Sequence, residues 1–454
     1  MFTSINILGQ KKQLRIYTQI TLGFKTSNEY DYSNSISILK NGLNRLSDKI
    51  SWLSGSIIEK DDITGVLHSK NSISFTVKDL RMNNFFPDFN QLEIENFPTK
   101  YFNEKDLCSR MTIPGTQGEE LLSDEPVFLI QFNILNGGIL ISFIGEHAVL
   151  DMIGQSYIIK LLSKLCNPEL NLTKFEIENT KLENSQLNLL ASNDSLPLNI
   201  TEKFIIKPIN IDPINWTGSW KYILFPSKNL ENLKNEISKN IFNENQGRNE
   251  NENKFISTDD SLCALICQSI TKARLKRISN PSNQTFKFSR AIDARNLVNQ
   301  NSNQVGVCLN MTFHHWNIKE FCDYSLDKIA LELRKDLLDE QNLKETLNVF
   351  ASMLSRSKLN DETKYSMAGT IDPTYDIQIS SWSKIDLYNY DFNFGLGKPI
   401  IVRRPTFIPC PGLVYFMPKR ENGEVVVAVS LRDDDMIEFL KDSQILQYGI
   451  PIDY

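Results

Sequence analysis

The segment Gly145-Glu146-His147-Ala148-Val149-Leu150-Asp151 sets a histidine four residues ahead of an aspartate, just past an apolar run. The chain has only four histidines, at 68, 147, 314 and 315. A hydroxyl nucleophile has a pKa far above 7, so its free alkoxide is negligible at neutral pH. A held imidazole, ordinarily titrating at about 6.5, can take the proton as the oxygen attacks. His147 is therefore the first candidate for a general base. Asp151 can orient the ring, as the carboxylate of a triad does. Alternatively it points away and pairs with an arginine to fix the loop. The competing reading is a hydrogen-bonded core histidine.

Two further segments carry chemistry-bearing types. Ser380-Ser381-Trp382 follows a strand-like run from Tyr375 to Ile379 and offers hydroxyl and indole donors that can face a developing oxyanion. A core tryptophan is the alternative. The run Asp391-Phe392-Asn393-Phe394-Gly395-Leu396-Gly397-Lys398-Pro399 invites a phosphate-loop reading. The spacing is wrong for one, and Pro399 follows the lysine. A tight structural loop, with Gly395 and Gly397 at positive φ, is the better reading. Cys263 and Cys267 share a helix face without a histidine beside them, so they read as core rather than metal ligands. His314-His315 lacks an acidic cluster, and Asp433-Asp434-Asp435 suits the positive end of a helix. No metal site is expected.

The elements that must position these residues are legible in outline. A strand is expected over Leu14 to Phe24. An amphipathic helix follows, carrying Leu39, Leu43, Leu46, Ile50 and Leu53. Phe128 to Leu135 and Ile139 to Ile144 flank Asn136-Gly137-Gly138, a hairpin signal in which both central residues call for positive φ. His147 then lies at the exit of a hairpin strand. The helix after it buries Ile153, Tyr157, Leu161, Leu162 and Leu165. Residues 167 to 215 read as a polar crossover, and Asn243 to Asn253 as a disordered insertion. Strand character resumes at Trp220 to Phe225. Ser257 to Asp260 resembles a capping box opening a long helix. A helix is expected over Leu326 to Leu338, and a second hairpin around Asn422-Gly423.

At 454 residues the chain exceeds the size at which one core stops growing, so two domains are expected: 1–166, and 216–454 after the crossover. Strands and helices alternate in both, which gives an α/β class with mixed sheets. A net charge of −6 argues against a nucleic-acid partner. No apolar run is long enough to span a membrane, and no signal opens the chain. Seven cysteines without Cys-x-x-Cys spacing suit a reducing cytoplasm.

Together these segments resemble one family, the BAHD-type coenzyme A-dependent acyltransferases, and within it the fungal trichothecene 3-O-acetyltransferases. His147 to Asp151 is similar to the family's His-x-x-x-Asp signature, and Asp391 to Pro399 to its Asp-Phe-Gly-Trp-Gly signature. Leu8-Gly9-Gln10, Ser257 to Asp260, Arg290 to Arg295, Ser380 to Trp382, Arg403-Arg404-Pro405 and Ser430 to Asp433 match in the same order. The resemblance implies two similar domains of chloramphenicol acetyltransferase type, each a mixed sheet flanked by helices, with the active site in a channel between them. It implies acetyl-CoA, or another acyl-CoA, as co-substrate, with no tightly bound cofactor. It implies a small-molecule alcohol such as a trichothecene as acceptor, and a monomer. His147 would be the base, Ser380 and Trp382 would sit near the oxyanion and acceptor, and Asp151 would turn toward Arg295. Asp391, Gly395 and Gly397 would be structural. An N-acyltransferase, or a non-catalytic binder on the same fold, is the alternative. Asn393 and Leu396 depart from the second signature. Glu146 is unexpected before the histidine, and an inward-facing carboxylate there would raise the pKa of His147.

Overall fold

The computed structural model describes residues 1–27, 29–82, 86–182, 187, 196–209, 216–244, 255–356 and 364–452. Two large sheets organise the chain. The first, in the N-terminal half, has the order β13-β2-β8-β7-β5: Ile401–Arg403, Tyr17–Lys25, Gly138–Glu146, Phe128–Leu135 and Ser74–Asp79. β5 runs parallel to β7, and the other pairs are antiparallel. The second has the order β11-β10-β12-β14-β15-β9-β16: Leu309–Asn317, Thr285–Asp293, Ile377–Ser381, Leu413–Phe416, Val425–Arg432, Gly218–Phe225 and Ile450–Pro451. β10, β12 and β14 are parallel neighbours there, so both sheets are mixed, as expected. A small third sheet joins β1 (Phe2–Ser4), β3 (Ser56–Lys60), β4 (Ile63–Leu67) and β6 (Glu125–Pro126).

β7 and β8 are buried along their whole length. Their near-continuous apolar sequences reflect this, since a strand covered on both faces has no polar side to alternate. Leu135 pairs with Gly138 across the expected Asn136-Gly137 turn. Only Gly137 takes positive φ, at 74°. The turn closes with one left-handed residue rather than the two expected. The Asn422-Gly423 turn behaves alike: Val414 pairs with Val429 beyond it, and Gly423 alone of the two is left-handed.

Boundaries shift elsewhere. The first long strand starts at Tyr17, because Lys12–Leu14 forms a 3-10 turn. The helix after His147 spans Met152–Leu165 and is buried almost all round, with Ile153 half-buried rather than on a core stripe. Within the expected crossover lie the short helices Lys174–Glu178 and Leu198–Thr201. Of the expected polar insertion, residues 245–253 fall outside the described residues. The helix Ser227–Glu244, which the sequence reading did not anticipate, runs up to them. One feature crosses the expected division between halves: β13 comes from residues 401–403 yet pairs with β2, Ile401 opposite Gly23 and Arg403 opposite Thr21. The largest apolar core accordingly holds Leu22, Phe24, Phe143 and Leu150 together with Trp382, Phe392 and Ile401.

Candidate active site

His147 stands one residue beyond β8, whose last residue pairs with Tyr17. Its N–H donates to the Ile16 carbonyl at 2.7 Å, so the strand pairing extends to it by one bond. The chain then turns. The N–H groups of Val149 and Leu150 both return to the Glu146 carbonyl, at 3.1 and 2.9 Å. The turn is approached closely by the N-terminal Ile7–Gln10 segment, where a Cβ on Gly9 would collide with the Ala148 carbonyl.

The imidazole is half-buried. Burial holds its pKa below the ordinary value; Asp151 and the carbonyls of Leu150 and His147 pull it up, and Arg404 pushes it down. Its Nδ1 is enclosed without a well-formed hydrogen bond among the described residues. Glu146 does not act as the sequence suggested. Its carboxylate accepts from Ala148 N–H at 2.8 Å and from Arg15 Nε at 3.1 Å, and the pKa of His147 is lowered, not raised.

Asp151 caps the helix Met152–Leu165, its Oδ1 accepting from Gly154 N–H at 2.8 Å. The same oxygen accepts from Arg295 Nη2 at 2.9 Å, and Oδ2 accepts from Cys308 N–H at 3.0 Å. Three donors thus hold the carboxylate, two of them from the C-terminal half. Arg295 is fully buried and also donates to Asp293 Oδ1 and to the carbonyls of Gln304 and Gly306. The structure therefore brings Asp151 and Arg295 together as a brace between halves.

Ser380 ends the register of β12 with β10, opposite Ala291. The Trp382 indole N–H donates to Ser380 Oγ at 3.1 Å, which spends the indole donor and leaves the serine proton free to point elsewhere. Ser381 turns away, donating to Asp259 Oδ1 at 2.7 Å. The Trp382 ring packs on Tyr415 with centroids 4.9 Å apart, and the Arg404 guanidinium lies 4.9 Å from the Tyr415 centroid. Arg404 is buried, reaches Thr112 Oγ1 at 3.3 Å, and acts electrostatically on His147. Contacts thus link Arg404 to Ser380 through Tyr415 and Trp382, and the charge of Arg404 bears on His147. Neither Arg404 nor Tyr415 stands out as a site residue in the sequence; the signal for Arg404 is the pair of adjacent arginines in an otherwise apolar stretch, and Tyr415 has none of its own.

The second signature is not part of this arrangement. The exposed Asp391 carboxylate accepts from Asn393 N–H at 2.8 Å. Its field reaches Cys166, beyond the far end of the 14-residue helix that Asp151 caps, about 20 Å away at 1.5 Å per residue. Gly395 and Gly397 have φ of 74° and 71°, with open space where a side chain would go, so backbone conformation alone calls for glycine. Phe392 and Phe394 anchor the loop, packing on Phe24, and Phe392 stacks on Phe143 of β8 at 5.8 Å.

The remaining candidates are structural. Cys263 and Cys267 are buried core residues with thiol pKa values raised by burial. His314 stacks on Trp316 at 4.7 Å, with its pKa pushed down to about 4 by burial. Asp435 is buried against Arg277.

Comparison with known proteins decides the family. A model described as the trichothecene 3-O-acetyltransferase-like N-terminal domain matches residues 16–166. Trichothecene 3-O-acetyltransferase TRI101 of Fusarium sporotrichioides is 33% identical over 98% of this chain and 96% of its own. The chain belongs to the trichothecene 3-O-acetyltransferase family. It is therefore an acyltransferase. A crystal structure of F. graminearum TRI101 complexed with coenzyme A and T-2 mycotoxin superposes with a TM-score of 0.90 at 30% identity, covering the whole of both chains. Vinorine synthase shares the fold at a TM-score of 0.66 and 14% identity, over 96% of this chain and 91% of its own. The two-domain mixed fold implied by the sequence resemblance is the fold of these proteins. Among the described residues, no helix is long and apolar enough to cross a membrane.

Proposed function

We propose that this chain transfers an acetyl group from acetyl-CoA to a hydroxyl of a bulky small-molecule alcohol, with a trichothecene as the model acceptor and His147 as the general base. His147 accepts the acceptor's proton while the oxygen attacks the thioester carbonyl. The tetrahedral oxyanion collapses, the carbon–sulfur bond breaks, and the imidazolium returns its proton to the departing thiolate. Both substrates are bound together and no acyl-enzyme forms. Ser380, whose oxygen already accepts from the Trp382 indole, donates its own proton to the oxyanion. The reaction site lies in a channel at the seam between halves.

The observation that carries this reading is the division of labour between His147 and Asp151. Burial keeps the imidazole neutral, and so able to accept a proton, at physiological pH. Asp151 has its donors supplied by Gly154, Arg295 and Cys308, which supports a bracing role rather than a relay. The relatives' names, and the ligands bound to the F. graminearum enzyme, support the donor and acceptor classes. The protein works as a monomer in a reducing cytoplasm; seven free cysteines, six of them buried, suit that setting.

Incubation with acetyl-CoA and a panel of trichothecenes, unrelated alcohols and amines, read by mass spectrometry, tests this. An O-acetylated alcohol is the expected product. Acetylation confined to amines would overturn the reading.

A further inference from the structure

Glu146 is a buried carboxylate that the proposed chemistry leaves unused. It is 1% exposed and immediately precedes His147. Burying a charged group is costly unless it is well paired, so its presence beside the base calls for a reason. Its bonds give one. The three N–H groups that follow His147 all end on this single residue: Ala148 on Oε2, Val149 and Leu150 on the backbone carbonyl. The other carboxylate oxygen, Oε1, accepts from Arg15 Nε at 3.1 Å. The residue after Arg15, Ile16, accepts the N–H of His147 itself. Arg15 also approaches Glu59 at 3.8 Å, which holds its guanidinium from the other side.

We propose that Glu146 and Arg15 form a clamp that fixes the turn displaying His147, making Glu146 a positioning residue for the acetyl transfer. This rests on the reading of His147 as the base. The carboxylate accepts from two donors at once. An amide of the same shape accepts from one and turns its NH2 toward the other. Glu146→Gln therefore opens the clamp while keeping side-chain volume. Burial pushes the Glu146 carboxyl up to about 8 against the pull of Arg15, so the comparison belongs at a pH above that value.

The test compares wild type, Glu146→Gln, His147→Ala and the double variant by thiol release from acetyl-CoA with an alcohol acceptor. Glu146→Gln is expected to lower kcat about tenfold while leaving the acetyl-CoA KM within about twofold. The double variant should be no slower than His147→Ala, because the clamp acts only through the imidazole. Wild-type kcat in folded Glu146→Gln would overturn the proposal. So would a double variant slowed below His147→Ala by the full Glu146→Gln factor. If Glu146→Gln does not fold, Arg15→Gln opens the same clamp from the other side with the same expected split between kcat and KM. A fully active His147→Ala would remove the base reading itself. An inactive His147→Ala beside a fully active Glu146→Gln would remove only the clamp.

Discussion

A histidine serves as a base only while it is neutral, and burial favours the neutral form of His147, the proposed base. The shift is downward from the ordinary value of about 6.5. The sign follows directly: lowering pH protonates the base and removes activity, and the downward shift moves that loss to more acid pH. The acid limb of kcat/KM against pH should therefore have its midpoint below about 6.5. A midpoint above that value would mean that a carboxylate partner, not burial, governs the ring. Asp151 makes a different prediction. Asp151→Asn leaves the buried Arg295 with Asp293 as its remaining carboxylate and should cost about 2 kcal/mol of stability in urea denaturation. Lost activity with unchanged stability would return Asp151 to a chemical role. The spacing of His147 and Asp151 was legible in the sequence because both sit on one short turn. The surroundings of the base were not, because Arg15, Arg404 and Tyr415 arrive from distant parts of the chain.

Elements were legible where local pattern and tertiary burial agree. Phe128–Leu135 and Gly138–Glu146 are continuous apolar runs around an Asn-Gly turn, and they form the hairpin that ends at His147. The helix Ser227–Glu244 was not legible, because its asparagine-rich sequence carries weak helix propensity and its spaced Leu230, Leu233, Ile237 and Ile241 were masked by it. β13 was illegible for another reason: three residues cannot show a period, and Ile401–Arg403 becomes a strand only by pairing with β2. The loop before it divides its work between anchors and turn-makers. Phe392→Ala removes a buried ring from the core beneath β8 and should cost about 3 kcal/mol or more. Gly395→Ala meets open space and should cost roughly 1 kcal/mol of backbone strain. Thermal or urea unfolding separates the two; equal losses would contradict the anchor role of Phe392.

At the scale of the whole molecule the halves are interlocked rather than merely adjacent. The C-terminal half supplies β13 and Phe392 to the N-terminal core, and Arg295 and Cys308 to the carboxylate that caps the helix after His147. Two mixed sheets could be read from alternating strands and helices; this exchange could not, since nothing in composition or periodicity encodes it. Residues 1–166 produced alone should show no cooperative thermal transition, because the edge of β2 is bared and core contacts are missing. A sharp transition from that fragment would show that the interlock is dispensable. The central claim, that His147 is the base of an acetyl transfer, is tested most directly by thiol release from acetyl-CoA with an alcohol acceptor, comparing wild type with His147→Ala. The account predicts a loss in kcat of about a hundredfold or more with the acetyl-CoA KM little changed; equal rates of release from the two proteins would contradict it.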